Sequence, residues 1–248
     1  MYTYDQRNKY FDVERRGVIF IITLQRPPEN RLTMKLCQDL ISTYRGIEQE
    51  LSAETLEPEG AVILRGSDAK FFTTGLDLDE RGVNPFSSTD GFYPLLRTLL
   101  DFPFPTICLI TGHTFGGACL LTLAHDYRIM NSQRGFWSMP PVNLGLHFDG
   151  MGSLLRAKLR PQVSRTVLLE AHKFTGKEAF EAGIVDEIAP PEEMLNKAVA
   201  LAEKVKGKAK MGVFALLRLE LYGEALREFQ KISHIHSREV SRQPKAKI

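Results

Sequence analysis

The chain has 248 residues, 43% hydrophobic and 25% charged, with a formal net charge of +2. This is the composition of a globular protein, long enough for one large domain or a domain with an appended helical part, and its balance gives no argument for nucleic acid as a partner. The charge is uneven: residues 201–248 hold eleven Lys/Arg against five Glu, so that end is about +6 and the rest about −4. The basic end suits either the phosphates of a carrier or a plain solvated helix face.

Cys37, Cys108 and Cys119 form no CxxC pair and sit among apolar residues, so they are expected to be reduced core residues of an intracellular protein. No apolar run approaches the roughly 20 residues of a membrane span. The first residues, Met1 to Phe11, lack the apolar core of a secretory signal.

In chain order, Phe11–Arg15 and Val18–Leu24 read as a hairpin about Arg16-Gly17. The run Val18 to Ile22 is too uniformly apolar for an exposed strand. A rigid polar loop follows, from Gln25 to Arg31. Thr33 can cap the next helix, whose Leu36, Leu40, Tyr44, Ile47 and Leu51 recur at helical spacing. Ala61–Arg65 is a strand, and Gly66-Ser67-Asp68 a polar turn. The stretch Lys70 to Leu78 reads KFFTTGLDL, with Asp77 placed to cap a short helix. Glu80–Asp90, rich in Gly, Pro, Ser and Asp, reads as a variable loop beside it. Phe92–Asp101 is an amphipathic helix, ended by Pro103 and Pro105.

Thr106–Ile110 is a buried strand. After a short turn, Gly116-Gly117 open a small, apolar helix through about Ala124. Paired glycines let a ligand approach the backbone, and the first turn of a helix has free N–H groups and the positive end of its dipole. Tyr127–Met130 is a strand, and Gly135–Ser138 begins another. Met139 to Val142 is stiff, and Asn143 to Gly152 turns into a helix over Ser153–Leu159. Pro161 starts a helix through Glu170. Thr175-Gly176-Lys177-Glu178 is a capping box, with Gly183 as the stop. Ile184–Ile188 is a last strand. Pro190-Pro191 start a helix with Met194, Ala198, Leu201 and Val205 on one face. Two more helices are expected, about Lys210–Leu221 and Glu224–His236. Alternating strands and helices imply parallel pairing, and no fixed-period repeat is visible.

Two stretches carry a resemblance. The first is Lys70-Phe71-Phe72-Thr73-Thr74-Gly75-Leu76-Asp77-Leu78 after an apolar strand. The second is the strand, turn, Gly116-Gly117-Ala118-Cys119 and the helix ending near Asp126. In this order and spacing they resemble the crotonase (enoyl-CoA hydratase/isomerase) superfamily, from about Val13 to about Ile188. The resemblance implies an α/β fold, a spiral of ββα units over 1–190. It implies a C-terminal helical region over 191–248 that packs against other subunits in a trimer or a dimer of trimers. It implies no cofactor, with an acyl-CoA thioester as the substrate, and no metal.

The resemblance also assigns roles. The backbone N–H groups of Leu76 and Gly117 would hold the thioester oxygen as it becomes an enolate, and Gly75 and Gly116 would let the thioester approach. Arg26 lies where relatives often place a positively charged side chain near the CoA head group; it also reads as a surface arginine. Lys70 and Phe72 are candidate substrate contacts. Asp77 fits a helix cap better than a catalyst. The two glutamates that hold water in the hydratases fall at Leu120 and Pro141, which disfavours simple hydration and leaves as alternatives a hydratase-like enzyme acting on another CoA thioester or a non-catalytic acyl-CoA-binding member. The Δ3-Δ2-enoyl-CoA isomerases need one base, and in the peroxisomal type it falls at Asp149. Asp149 is equally read as the cap of the helix that follows. His147 is the alternative base. Trp137, Met139, Phe72, Phe92, Leu96 and Phe136 are either an acyl tunnel or core. The chain ends Ala246-Lys247-Ile248, which looks like a variant of the Ser-Lys-Leu peroxisomal address; the alternative location is the cytoplasm.

Overall fold

The structure, a computed structural model, describes residues 8–68 and 70–240, with side chains through 231. β1 (Phe11–Arg16) and β2 (Ile19–Leu24) form the expected hairpin about Gly17. α1 (Met34–Glu54) starts where the Thr33 side chain accepts from Leu36 N–H. Three turns of a repeating unit follow, each a long strand, a short strand and then helix.

The first is β3 (Ala61–Gly66), β4 (Phe71–Thr73), then α2 (Leu78–Val83) and α3 (Tyr93–Asp101). The second is β5 (Thr106–Ile110), β6 (His113–Phe115) and α4 (Gly117–Leu123). The third is β7 (Tyr127–Asn131), β8 (Trp137–Ser138), then α5 (Pro141–Leu144), α6 (Met151–Lys158), α7 (Pro161–Leu169) and α8 (Gly176–Glu181). β9 (Glu187–Ala189), α9 (Pro191–Val205) and α10 (Val213–Val240) complete the described chain. No helix of the described residues is long and apolar enough to cross a membrane.

The long strands form one sheet in the order β1-β2-β3-β5-β7-β9, and the short ones a second sheet, β4-β6-β8. All pairings are parallel except the β1–β2 hairpin. The units begin at residues 61, 106 and 127. These unequal spacings hide the repeat from any fixed-period search.

Strand alternation sorts the core into two layers. Phe20, Ile22, Val62, Leu64, Cys108 and Ile110 face the main core with α1, α3 and α4. Ile19, Ile21, Ala61, Ile63, Ile107 and Leu109 face Met194, Ala198 and Ala202 of α9. Both faces of the large sheet are therefore covered, which explains its uniformly apolar strands. All three cysteines are free and buried.

Four expectations need correction. Glu80–Asp90 is not a structureless loop, because α2 runs to Val83 and a π-helical turn spans Ser88–Phe92. The turn after Ile110 contains the strand β6, too short to show a pattern. The last strand begins only at Glu187, since the N–H groups of Ile184 and Val185 bond back to Ala179 O and close α8. The two terminal helices are one, α10. Gly223 lies between Arg218 and Phe229, both buried against the core. That anchoring outweighs the roughly 1 kcal/mol a mid-helix glycine costs.

Candidate active site

The first glycine turn is fixed from the Gln25–Arg31 side. Asn30 Nδ2 donates to Phe72 O at 2.9 Å, and the Thr73 hydroxyl donates to Asn30 O at 2.7 Å. Leu32 N donates to Gly75 O at 2.8 Å, and Asp77 N to Leu32 O at 3.2 Å. This is a parallel bridge between Leu32 and Leu76. In such a bridge the central residue turns its own N–H to the opposite side. Leu76 N–H therefore faces away from Leu32. Gly75 has φ +88°, and a Cβ there would lie 2.4 Å from Phe115 O and 2.9 Å from Gly117 N. The two glycine turns touch at this point, and only glycine permits it.

The second turn is held by Gly116 N, which donates to Ser138 O at 3.0 Å. Gly116 caps α4 at φ +57°, ψ −124°. Gly117 is the first residue of that helix, so its N–H has no carbonyl one turn back to bond. A Cβ on Gly117 would meet Leu76 Cγ at 3.1 Å and Phe92 Cζ at 3.2 Å. The sequence-distant Leu76 and Gly117 are thus neighbours.

Two apolar cavities open where they meet. The outer, about 70 Å³, is bounded by Phe115, Gly116, Pro140, Leu144 and Leu146. The inner, about 20 Å³, is bounded by Phe92, Tyr93, Leu120, Met139 and Met151. Leu76, Gly117, Pro141 and Phe148 line both. A larger polar cavity of about 1150 Å³ between α6 and α10 shares no lining residue with either.

The remaining candidates fall in several places. Pro141 and Leu120 do face the cavities. Asp77 caps α2, accepting from Glu80 N at 3.3 Å, and pairs with Arg26 at 3.3 Å. Arg26 also donates to Arg31 O at 2.8 Å, so it ties the turn together and lines neither cavity. Lys70 places its Nζ over the Phe71 ring at 5.2 Å, outside both cavities. Phe72, Leu96 and Trp137 are fully buried core, whereas Phe92 and Met139 line the inner cavity. Phe136 is exposed beside His113. His147 is exposed, with Nδ1 3.9 Å from an Asp149 carboxylate oxygen. Asp149 is not the helix cap: Gly150, at φ +74°, occupies that position.

Three residues the sequence reading did not single out matter here: Tyr93, Phe148 and Met151. Tyr93 lines the inner cavity, and its hydroxyl donates to Asp149 O at 3.0 Å. Burial, and then the charge of Asp149, push its phenol above the usual range. The hydrogen bond is to the Asp149 main-chain carbonyl, and Asp149 lines neither cavity. Phe148 lies under the Arg81 guanidinium, 4.2 Å from its centroid. The signal for Tyr93 was a polar-tipped aromatic directly after Phe92, at a helix start.

The other end of α4 is dense with charge. His125 Nδ1 donates to Leu121 O at 2.8 Å, and its Nε2 lies 3.3 Å from Tyr44 OH. Burial lowers its pKa to about 4. Asp126 accepts from Thr106 N at 2.8 Å and pairs with Arg218 Nε at 3.0 Å. Arg218 also donates to Leu99 O at 2.7 Å. Lys158 Nζ donates to His125 O at 3.1 Å and sits over the Tyr222 ring at 3.7 Å. Burial, with help from Arg128, lowers its pKa to about 7.

Residues 14–236 match the family model described as enoyl-CoA hydratase/isomerase. Peroxisomal enoyl-CoA delta isomerase 2 of Arabidopsis thaliana is 33% identical over 226 residues, 86% of this chain and 92% of its own. Carnitinyl-CoA dehydratase of Salmonella arizonae is 30% identical over 206 residues, 82% of this chain and 76% of its own. Among solved structures, an enoyl-CoA isomerase of Mycobacterium tuberculosis superposes with a TM-score of 0.80 at 22% identity, covering 92% of this chain and 98% of that one. An enoyl-CoA hydratase/isomerase family protein of Pseudomonas syringae gives 0.81 at 20% identity, covering 91% and 97%. The structural likenesses establish the crotonase fold.

Proposed function

The chain belongs to the enoyl-CoA hydratase/isomerase family, and on that premise we propose that it is an acyl-CoA isomerase moving a double bond from Δ3 to Δ2. The observation that carries the reading is the contact of the two glycine turns, which makes neighbours of Leu76 and Gly117. Their N–H groups hold the thioester oxygen as it gains charge, and each such donor contributes about 3 kcal/mol to lowering the barrier. Asp149 takes a proton from C2, the dienolate forms, and the same acid returns the proton at C4. Support for Asp149 comes from its place just before Gly150 and from the hydrogen bond that ties its main chain to Tyr93, a residue of the inner cavity. Leu120 and Pro141 at the hydratase glutamate positions favour isomerisation over water addition.

An assay following conversion of a 3-enoyl-CoA to the 2-trans product tests the reading. Turnover is expected, with a loss of at least about a hundredfold in Asp149→Asn. Absence of turnover by pure, folded protein sinks the isomerase assignment, and full activity in Asp149→Asn removes Asp149 as the shuttle.

A second reading, acyl-CoA binding without turnover, is favoured by one observation. Among the described residues no carboxylate or imidazole lines either cavity. Tight binding with no product from a panel of thioesters, read by mass spectrometry, selects it.

The peroxisome is the proposed location, supported by the peroxisomal names of two Arabidopsis thaliana relatives. Ala246-Lys247-Ile248 lie outside the described residues; import of a fluorescent fusion that fails on deleting them tests the proposal. A trimeric assembly is proposed as well. Leu216, Leu217 and Leu221 stand exposed on α10 in support, and a monomer in light scattering would dismiss it.

A further inference from the structure

We infer that the substrate carries a short acyl chain, and that Leu120 and Phe148 set its length; the inference rests on the acyl-CoA reading above. A thioester carbonyl held between Leu76 and Gly117 has two substituents and two spaces to put them in. Coenzyme A is far larger than either cavity and must reach solvent, so the sulfur side leaves through the outer one. The acyl carbons are left with the inner cavity of about 20 Å³. A single water-sized group needs about 10–15 Å³, so the space as it stands takes one or two carbon groups, and the third carbon that a Δ3 double bond requires is reached by a small shift of the partly buried Phe148 or Met151.

The walls differ in how far they can yield. Leu120 stands three residues, nearly one turn, after Gly117 on α4 and is 2% exposed. Its side chain therefore sets the depth directly beyond the carbonyl. Phe92 and Met139 are buried as deeply, and Tyr93 is pinned by its hydrogen bond to Asp149 O. The remaining wall, Phe148 and Met151, is only partly buried. Phe148 is the panel common to both cavities, and Arg81 clamps its ring at 4.2 Å. A longer chain must push Phe148 out against that clamp or displace Leu120. Overfilling a packed cavity in this way is unfavourable.

The test is calorimetric titration of the full chain with saturated thioesters, which bind without turnover: acetyl-, butyryl-, octanoyl- and palmitoyl-CoA. Butyryl-CoA is expected to bind tightest, with octanoyl-CoA weaker by on the order of tenfold or more. Leu120→Ala and Arg81→Ala are each expected to shift the octanoyl-to-butyryl ratio about tenfold toward the longer chain. The ratio is internal to each variant, so a partly unfolded sample does not mask it. Octanoyl- or palmitoyl-CoA binding wild type as tightly as butyryl-CoA overturns the length limit, as does an unchanged ratio in both variants. Folded protein that binds none of the four overturns the acyl-CoA reading itself.

Discussion

At its N-terminal end α4 meets glycines, apolar walls and backbone donors; at its C-terminal end it meets two arginines, a lysine, a histidine and a carboxylate. Perturbed titrations usually draw attention to an active site. Here the lowered values of His125 and Lys158 belong to the end away from the glycine turns. The charged end joins α4 to α6 and α10 through Lys158, Tyr222 and Arg218. The apolar end keeps its donors available.

The sharpest way to break this contrast is at Arg218. Replacing it by Met leaves the mostly buried Asp126 without its cation and removes a donor from Leu99 O. The expected loss is about 3–5 kcal/mol of stability, measured by urea unfolding, with acyl-CoA affinity of the folded fraction unchanged. A loss of affinity without a loss of stability would reverse the roles given to the two ends.

Gly75→Ala tests the other end. Its Cβ would collide with Phe115 O and stand 2.9 Å from Gly117 N. Turnover should fall on the order of a hundredfold, equivalent to losing one oxyanion donor, as read by kcat. Wild-type kcat in this variant would show that the turns do not form the catalytic cradle.

Acid reaches the charged end through His125. Its folded pKa is about 4 against an ordinary 6.5. Below 6.5 the unfolded chain takes up the proton and the folded chain resists until about pH 4. The group's contribution is therefore intact above pH 6.5 and lost as pH falls toward 4, by roughly 3 kcal/mol. Unfolding free energies at pH 7, 5.5 and 4 for wild type and His125→Gln should show a steeper slope in wild type. Equal slopes would mean that His125 titrates normally.

The smallest effect is expected from Tyr44→Phe, which deletes the hydroxyl beside His125 Nε2 and nothing else. It should cost about 1 kcal/mol in urea unfolding and leave turnover untouched. Any change in kcat would mean that the charged end communicates with the glycine turns.

Most of the element order was legible, because apolar spacing and caps act locally. Thr33, Asp77 and Thr175 cap the helices expected of them, and Thr175 with Glu178 closes a full capping box. Gly75 and Gly116 stand at positive φ where glycine was singled out. Local pattern failed where packing decides. Two helices are expected, about Lys210–Leu221 and Glu224–His236, where the burial of Arg218 and Phe229 holds one continuous helix through Gly223. Three-residue strands such as β4 and β6 carry too little pattern to announce themselves.

By itself the sequence determined two glycine turns, each at the end of an apolar strand, and the absence of glutamate at positions 120 and 141. Which turn touches which, and at 2.4 Å from a Gly75 Cβ to Phe115 O how closely, was decided only by the pairing of β4 with β6. Tertiary structure alone brought Tyr93 to Asp149 O and Phe148 under Arg81. The reason is one of range. Dihedral preference and capping act over a few residues, whereas a cavity is the space left between elements that the chain reaches tens of residues apart.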